Sequence, residues 1–176
     1  MAADTDIERL DEFRAGDMGA ICEATEQAID QGLGFDWVRM PSRQLLEAFW
    51  RGVLLVPDRA LFVARLEGVI VGTSQLIKPP PNNEAGNFNA SITAFFVAPW
   101  ARGHGLARDL LQTVIAHARA EGFKMISLDV RETQTAAIGL YQSAGFKRWG
   151  TKPKYAFVDG RFIAGHFYYK DLDEDG

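Results

Sequence analysis

One cysteine, Cys22, stands among 176 residues. No disulfide framework can form within the chain, and such sparing use suits a reducing compartment. Cys22 itself reads as a small buried apolar side chain. Nowhere does an apolar run approach the roughly 20 residues needed to cross a bilayer. The opening MAADTDIERL is acidic without an apolar centre, unlike a secretory signal. A cytoplasmic protein with no membrane partner is expected. Excess positive charge is missing too: 19 Lys and Arg face 23 Asp and Glu, a net charge of −4. A nucleic-acid binder would carry a basic stripe, so no nucleic acid is expected as partner. His104, His117 and His166 lie far apart and form no H-x-x-x-H pair, which argues against a bound metal. With neither internal repeat nor linker, residues 1–176 are expected to form one domain, with 170–176 fraying.

What the chain does have is concentrated in residues 95–120, FFVAPWARGHGLARDLLQTVIAHARA. The apolar Phe95-Phe96-Val97 stops at Pro99, which cannot donate to a central ladder. A loop with Arg102, Gly103, His104 and Gly105 follows. Beyond it Leu106, Leu110, Leu111, Val114, Ile115 and Ala118 recur at helical spacing, giving one apolar face. Strand, glycine turn and amphipathic helix in that order leave unpaired N–H groups at the positive end of a helix, a ready anion site. Gly103 and Gly105 let the backbone approach a ligand closely, and Arg102 and Arg108 carry charge suited to phosphate. A pyrophosphate is the expected occupant. The stretch lacks the Lys-Ser/Thr of a P-loop, and Arg108 stands where a dinucleotide fingerprint needs its third glycine. The surviving pattern is [Q/R]-x-x-G-x-[G/A], filled by Arg102, Gly105 and Ala107.

Around this stretch the chain alternates elements. Ile7 to Arg14 reads as a first strand. Asp17 suits the N-cap of a helix to about Gln31, ended by Gly32 and Gly34. A second helix spans Ser42 to Val53. Strands Leu61–Leu66 and Val69–Ile77 flank Glu67-Gly68, a two-residue hairpin signal. KPPPNNEAGNFN then excludes regular structure, and a loop of that length is more often functional than idle. The strand Ala90 to Val97 leads into the central stretch. After the long helix come a strand, Met125 to Arg131, and a helix, Thr133 to Ser143. Phe146 opens a further strand. A closing hairpin, Lys154–Val158 with Arg161–Lys170, turns at Asp159-Gly160, a type I′ signal. This order predicts an α/β fold: a single mixed, mostly antiparallel central sheet with helices on both faces.

Over V-x-P-x-x-R-x-x-G-x-A, Val97 through Ala107, the chain resembles the GNAT superfamily of acyl-CoA-dependent N-acyltransferases. Gln134 through Phe146 is similar to that family's second signature, N-x-x-A-x-x-L-Y-x-x-x-G-F. The likeness is clearest from Val97 to Phe146 and extends to the first sixty residues only in element order. It implies the GNAT fold and acetyl-CoA as co-substrate. The pyrophosphate would rest on Arg102, Gly103, His104, Gly105, Leu106 and Ala107, with Arg108 nearby. Pantetheine would run along Phe96 and Val97 like an added strand, and the Val97 N–H would stabilise the oxyanion, typically worth about 3 kcal/mol.

The same resemblance sets Tyr141 beside the CoA sulfur, where it would protonate the departing thiolate. A phenol of pKa about 10 can donate to the thiolate of a thiol of pKa about 8.5; simple packing is the plainer account of a helical tyrosine. Gln134 replaces the family's Asn with an amide one methylene longer, still able to reach pantetheine or water. Asp129 falls where some members hold the base for the amine; its plainer role is a structural carboxylate paired with Arg131 or a helix end. Glu84 is a weaker base candidate. Ser91 and Thr93 occupy the strand where a carboxylate base is often found, so deprotonation would run through water.

The expected function is transfer of an acetyl group from acetyl-CoA to a primary amine of a small molecule or peptide, by direct attack in a ternary complex. The first two helices, the KPPPNNEAGNFN loop and the closing hairpin would wall the acceptor. Trp37 and Trp50 either line that pocket or pack in the core. A homodimer fits the family. A non-catalytic acetyl-CoA-binding regulatory module and a nucleotide-binding protein are the rival readings.

Overall fold

Among the described residues, four α-helices and seven strands follow one another along the chain. The strands are β1 (Thr5–Leu10), β2 (Arg59–Leu66), β3 (Val69–Ile77), β4 (Asn89–Val97), β5 (Met125–Arg131), β6 (Lys147–Val158) and β7 (Arg161–Asp171). The helices are α1 (Asp17–Asp30), α2 (Arg43–Leu55), α3 (Leu106–Ala120) and α4 (Thr135–Ser143). This computed structural model describes residues 2–33 and 35–174. The strands form one mixed sheet in the order β1-β2-β3-β4-β5-β7-β6. Only β4 and β5 run parallel; every other neighbouring pair is antiparallel.

Local chemistry accounts for most element ends. Ser42 caps α2, its Oγ accepting from the Leu45 N–H at 3.2 Å. The six apolar residues set at helical spacing on α3 are all buried. Both two-residue turns have positive φ at each position, Glu67 and Gly68 at 50° and 79°, Asp159 and Gly160 at 50° and 76°, as a type I′ hairpin requires. Phe62 and Arg65 stand an odd number apart on β2 and so point to opposite faces. Phe62 meets His117 of α3, whereas Arg65 meets Asp17 of α1. Helices therefore cover both faces.

Asp17 is not the cap of α1. Gly16 takes that position at φ 86°, while Asp17 turns inward to a buried guanidinium. Its oxygens accept from Arg65 Nη1 at 2.7 Å and Nη2 at 2.9 Å, and Arg65 Nε donates to Glu8 at 2.6 Å. The hydrogen bonds from Arg65 hold the Asp17 carboxyl below its usual range, against burial, which raises it. This cluster ties the start of α1 to β1 and β2.

Several boundaries differ from expectation. β1 ends at Leu10, where its pairing with Leu61 stops, rather than at Arg14. β6 is one strand, not two: Lys152 pairs with Gly165 and Ala156 with Ile163. Pro153 sits in the resulting bulge, where the missing N–H breaks no ladder bond. The tail does not fray at 170. β7 continues through Asp171, and buried Leu172 donates its N–H to Lys124. The remaining tail residues Asp175 and Gly176, and the helix-ending Gly34, lie outside the described residues.

One irregularity shapes the centre of the sheet. β4 pairs with β5 only at Asn89, Ala90 and Ser91, and beyond that point the two strands part. Against β3, the register jumps between Thr73 and Gln75, which inserts an extra residue into β4. Ala94, at φ 50°, holds that bulge, a conformation costing an L-residue roughly 1–2 kcal/mol. Thr73 Oγ1 donates to the Ala94 carbonyl at 2.8 Å and helps hold it. Gly72 lets β3 press against the bend, since a Cβ there would meet the Phe96 carbonyl oxygen at 2.7 Å. A cleft opens between β4 and β5.

Candidate active site

The cleft holds a cavity of ≈ 690 Å³ at the head of α3. Phe96, Val97, Arg102, Gly103, Gly105, Leu106, Ala107, Arg108 and Gln134 all line it. His104 lies in the same loop but is absent from the lining; its side chain is exposed. Gly105 precedes the first helical residue with φ 75° and no side-chain cap. Among the described residues, no acceptor takes the N–H of Gly103, His104, Gly105, Leu106, Ala107 or Arg108; the first amide after them, Asp109, donates to Gly105 at 3.0 Å. This run of donors at the positive end of a 15-residue helix is shaped for an anion. A Cβ at Gly105 would approach Arg108 Nη2 to 3.3 Å, so the guanidinium folds over the turn, held by Asp109 at 3.2 Å. A diphosphate fits these groups.

Ala98 donates to Val71 of β3 at 2.7 Å. By strand alternation the Val97 N–H points the other way, into the cleft. Tyr141, on α4, lines a second cavity of ≈ 280 Å³ with Ser91, Thr93, Asp129, Arg131 and Tyr155. Its ring packs against Phe95, Phe146 and Tyr168. Its hydroxyl has no hydrogen-bond partner among the described residues. Burial, and secondarily the charge of Asp129, raise the phenol above its ordinary pKa. Tyr141 therefore keeps its proton, on a hydroxyl that no described residue engages.

Asp129 pairs with neither Arg131 nor a helix end. One oxygen accepts from the Tyr155 hydroxyl, the other has no partner among the described residues, and Arg131 instead donates to the Phe35 carbonyl at 2.6 Å. Burial and this bond to Asp129 raise Tyr155 as well. The Gln134 amide donates to the Gly32 carbonyl, fastening the start of α4 to the segment after α1; its oxygen and second N–H have no partner among the described residues.

On the acceptor side, expectation and structure part. None of residues 78–89 lines these cavities; Glu84 is exposed in a short 3-10 turn, Glu84–Gly86. The segment between α1 and α2 takes the place of that loop with Phe35, Asp36 and Trp37. Trp37 lines a cavity, while Trp50 is buried in the core with Nε1 donating to Thr25 at 3.0 Å. Tyr155, Asp36, Arg59 and Gln75 belong to no motif and escape a reading of the sequence. The nearest signal is Pro153, whose place in a strand implies a bulge. No group of three or more His, Cys, Asp and Glu among the described residues could hold a metal. No helix there is long and apolar enough to cross a membrane.

Comparison with known proteins identifies the family. Residues 24–146 match the Acetyltransferase (GNAT) family. An N-acetyltransferase from the hisH-hisA intergenic region of Azospirillum brasilense, itself uncharacterized, is 53% identical over 131 residues, covering 74% of this chain and 78% of that one. The N-alpha-acetyltransferase RimI of Mycobacterium tuberculosis is 34% identical over 110 residues, 61% of this chain and 64% of that one. In fold, the chain is similar to an N-acetyltransferase from Staphylococcus aureus Mu50, with TM-score 0.82, 22% identity, and coverage of 96% and 99%. It is also similar to yncA of Salmonella typhimurium, solved with its cofactor acetyl-CoA, with TM-score 0.78, 22% identity, and coverage of 97% and 95%. With the family match spanning more than half its length, and unpaired amides at the head of α3 that suit an anion, this chain belongs to the GNAT acetyltransferase family and is an acetyl-CoA-dependent acyltransferase.

Proposed function

We propose that the protein moves the acetyl group of acetyl-CoA to the primary amine of a small molecule or peptide, by direct attack while both are bound. The observation that carries this reading is the run of unpaired amides from Gly103 to Arg108, opening on the cleft that the Val97 N–H and Tyr141 also face. Those amides and Arg108 hold the diphosphate. The free edge of β4 at Phe96 and Val97 takes pantetheine as an added strand, with the unspent groups of the Gln134 amide lining the same cavity.

The Val97 N–H donates to the thioester oxygen as negative charge gathers there. The amine must be neutral to attack; its proton leaves through water toward the unoccupied oxygen of Asp129. The new C–N bond forms, the C–S bond breaks, and Tyr141 gives its proton to the departing sulfur.

Calorimetry with CoA and ATP, together with thiol release over an amine panel, tests this. CoA is expected to bind and ATP not, thiol release should require an amine, and double-reciprocal plots should intersect. Parallel plots would replace direct attack with an acyl-enzyme route; ATP binding without CoA binding would overturn the assignment.

A further inference from the structure

A smaller cavity of ≈ 240 Å³ adjoins the cleft, walled by Phe35, Trp37 and Phe49 and floored by Arg59, Gln75 and Thr93. It shares Asp36, Thr93 and Ala94 with the cavity of Tyr141 and Asp129, so one ligand can occupy both. Gln75 is 0% exposed. Its Oε1 accepts from Arg59 Nη1 at 2.7 Å, while its buried Nε2 has no partner. Arg59 fixes the amide's orientation. A guanidinium only donates, so the oxygen must face it and the NH2 cannot swap into that place. Buried donors without acceptors are uncommon in native proteins and call for an explanation. The Arg59 side chain makes no other hydrogen bond among the described residues, so most of its fork is also unspent. Two donor groups, one cationic, therefore meet at the floor of an aromatic-walled cavity, where Gln75 Nε2 and the rest of the Arg59 fork have no acceptor among the described residues.

We infer that this cavity is an anion subsite and that the acceptor is a small aminocarboxylate. Its carboxylate is held by Gln75 Nε2 and the Arg59 guanidinium, and its amine reaches past Ala94 toward Asp129 and Tyr141. Asp36 lines both cavities and adds the complementary sign: its carboxylate favours the ammonium end at the junction and disfavours the anion there. A zwitterion is thereby oriented. A peptide N-terminus would offer Arg59 a neutral carbonyl, and a polyamine would offer it a second cation, so both fit less well. The inference rests on the transferase reading above.

The experiment compares kcat/KM for amino acids, their amides and their decarboxylated amines, in the wild-type protein and in Gln75→Glu and Arg59→Met. Gln75→Glu keeps an oxygen facing Arg59 and replaces the free donor with an acceptor, so the fold has its contact but the carboxylate loses its partner. The wild type should prefer an acid over its amide and amine by at least about tenfold. Both variants should erase that preference while leaving turnover of the decarboxylated amines within about threefold; a merely structural role would lower all three series alike. Equal or better use of amides or amines by the wild type would overturn the subsite, as would a preference that survives both variants. If acetyl-CoA binds but no aminocarboxylate releases thiol while other amines do, the subsite fails and the transferase reading stands. If acetyl-CoA does not bind, both fall.

Discussion

The Tyr155 hydroxyl donates to the Asp129 carboxylate, and the ring that carries it lies directly on Gly165. A Cβ at Gly165 would stand 2.1 Å from the ring's Cγ, so only glycine leaves room for it. The bulge around Pro153 supplies the slack that lets the ring fold back. Asp129 is thus a cavity-lining carboxylate whose setting is fixed by the closing hairpin.

Gly165→Ala should push Tyr155 off Asp129. The amine KM is expected to rise about tenfold, with CoA affinity unchanged because neither residue lines the coenzyme cavity. Overpacking should lower stability by about 1–3 kcal/mol, read from urea unfolding. Tyr155→Phe isolates the hydroxyl, and an unchanged KM in both would show the contact to be idle.

Tyr141→Phe should leave stability nearly untouched, because the hydroxyl it removes has no protein partner among the described residues. Turnover is expected to fall by about 10²–10⁴, the usual range for a lost general acid, with little change in CoA affinity. The sign of the pH dependence follows from burial. A phenol raised above its ordinary pKa keeps its proton through alkaline pH, so the rate should show no basic limb from this group below about pH 10. A limb near neutrality that vanishes in Tyr141→Phe would contradict the assignment.

Gly105→Val should weaken CoA binding by more than tenfold in calorimetry. Position 105 has φ 75°, which a β-branched residue resists. The new side chain would also crowd Arg108 and the adjacent amides. Stability should drop by only about 1–2 kcal/mol, so lost affinity in a folded variant separates the cradle from the fold.

Arg65→Met strips buried Asp17 of its paired guanidinium and leaves Glu8 with Arg14 alone, a change expected to cost about 3–5 kcal/mol. In the wild type the folded pKa of Asp17 is lowered by Arg65. Glu8 is lowered too: burial raises it, but hydrogen bonds from Arg65 and Arg14 outweigh that. The unfolded chain then binds more protons, so this stabilisation is complete above about pH 5 and is lost as pH falls through about 4 and below. Urea midpoints from pH 7 to 3 should fall steeply in the wild type and more shallowly in the variant.

Periodicity and turn chemistry make much of this fold legible in the residues alone. The apolar stripe of α3, the two type I′ turns and the glycines before α3 each report a local rule, and each sits where that rule puts it. Less legible are the places where two remote segments meet. Nothing in the residues around Ala94 announces a bulge, because a left-handed alanine is imposed by Thr73 and Gly72 on the neighbouring strand. The KPPPNNEAGNFN loop suggests an acceptor wall by its length alone, yet the segment around Phe35 and Trp37 fills that place.

By itself, then, the sequence determined which elements form and where a run of free amides opens, since strand ends, caps and unpaired N–H groups depend on neighbours within a few residues. The tertiary structure alone decided how β4 and β5 part, which partner Asp129 takes and how Gln75 is left with an unmatched donor. Those outcomes depend on contacts between residues tens of positions apart, whose geometry no local pattern encodes.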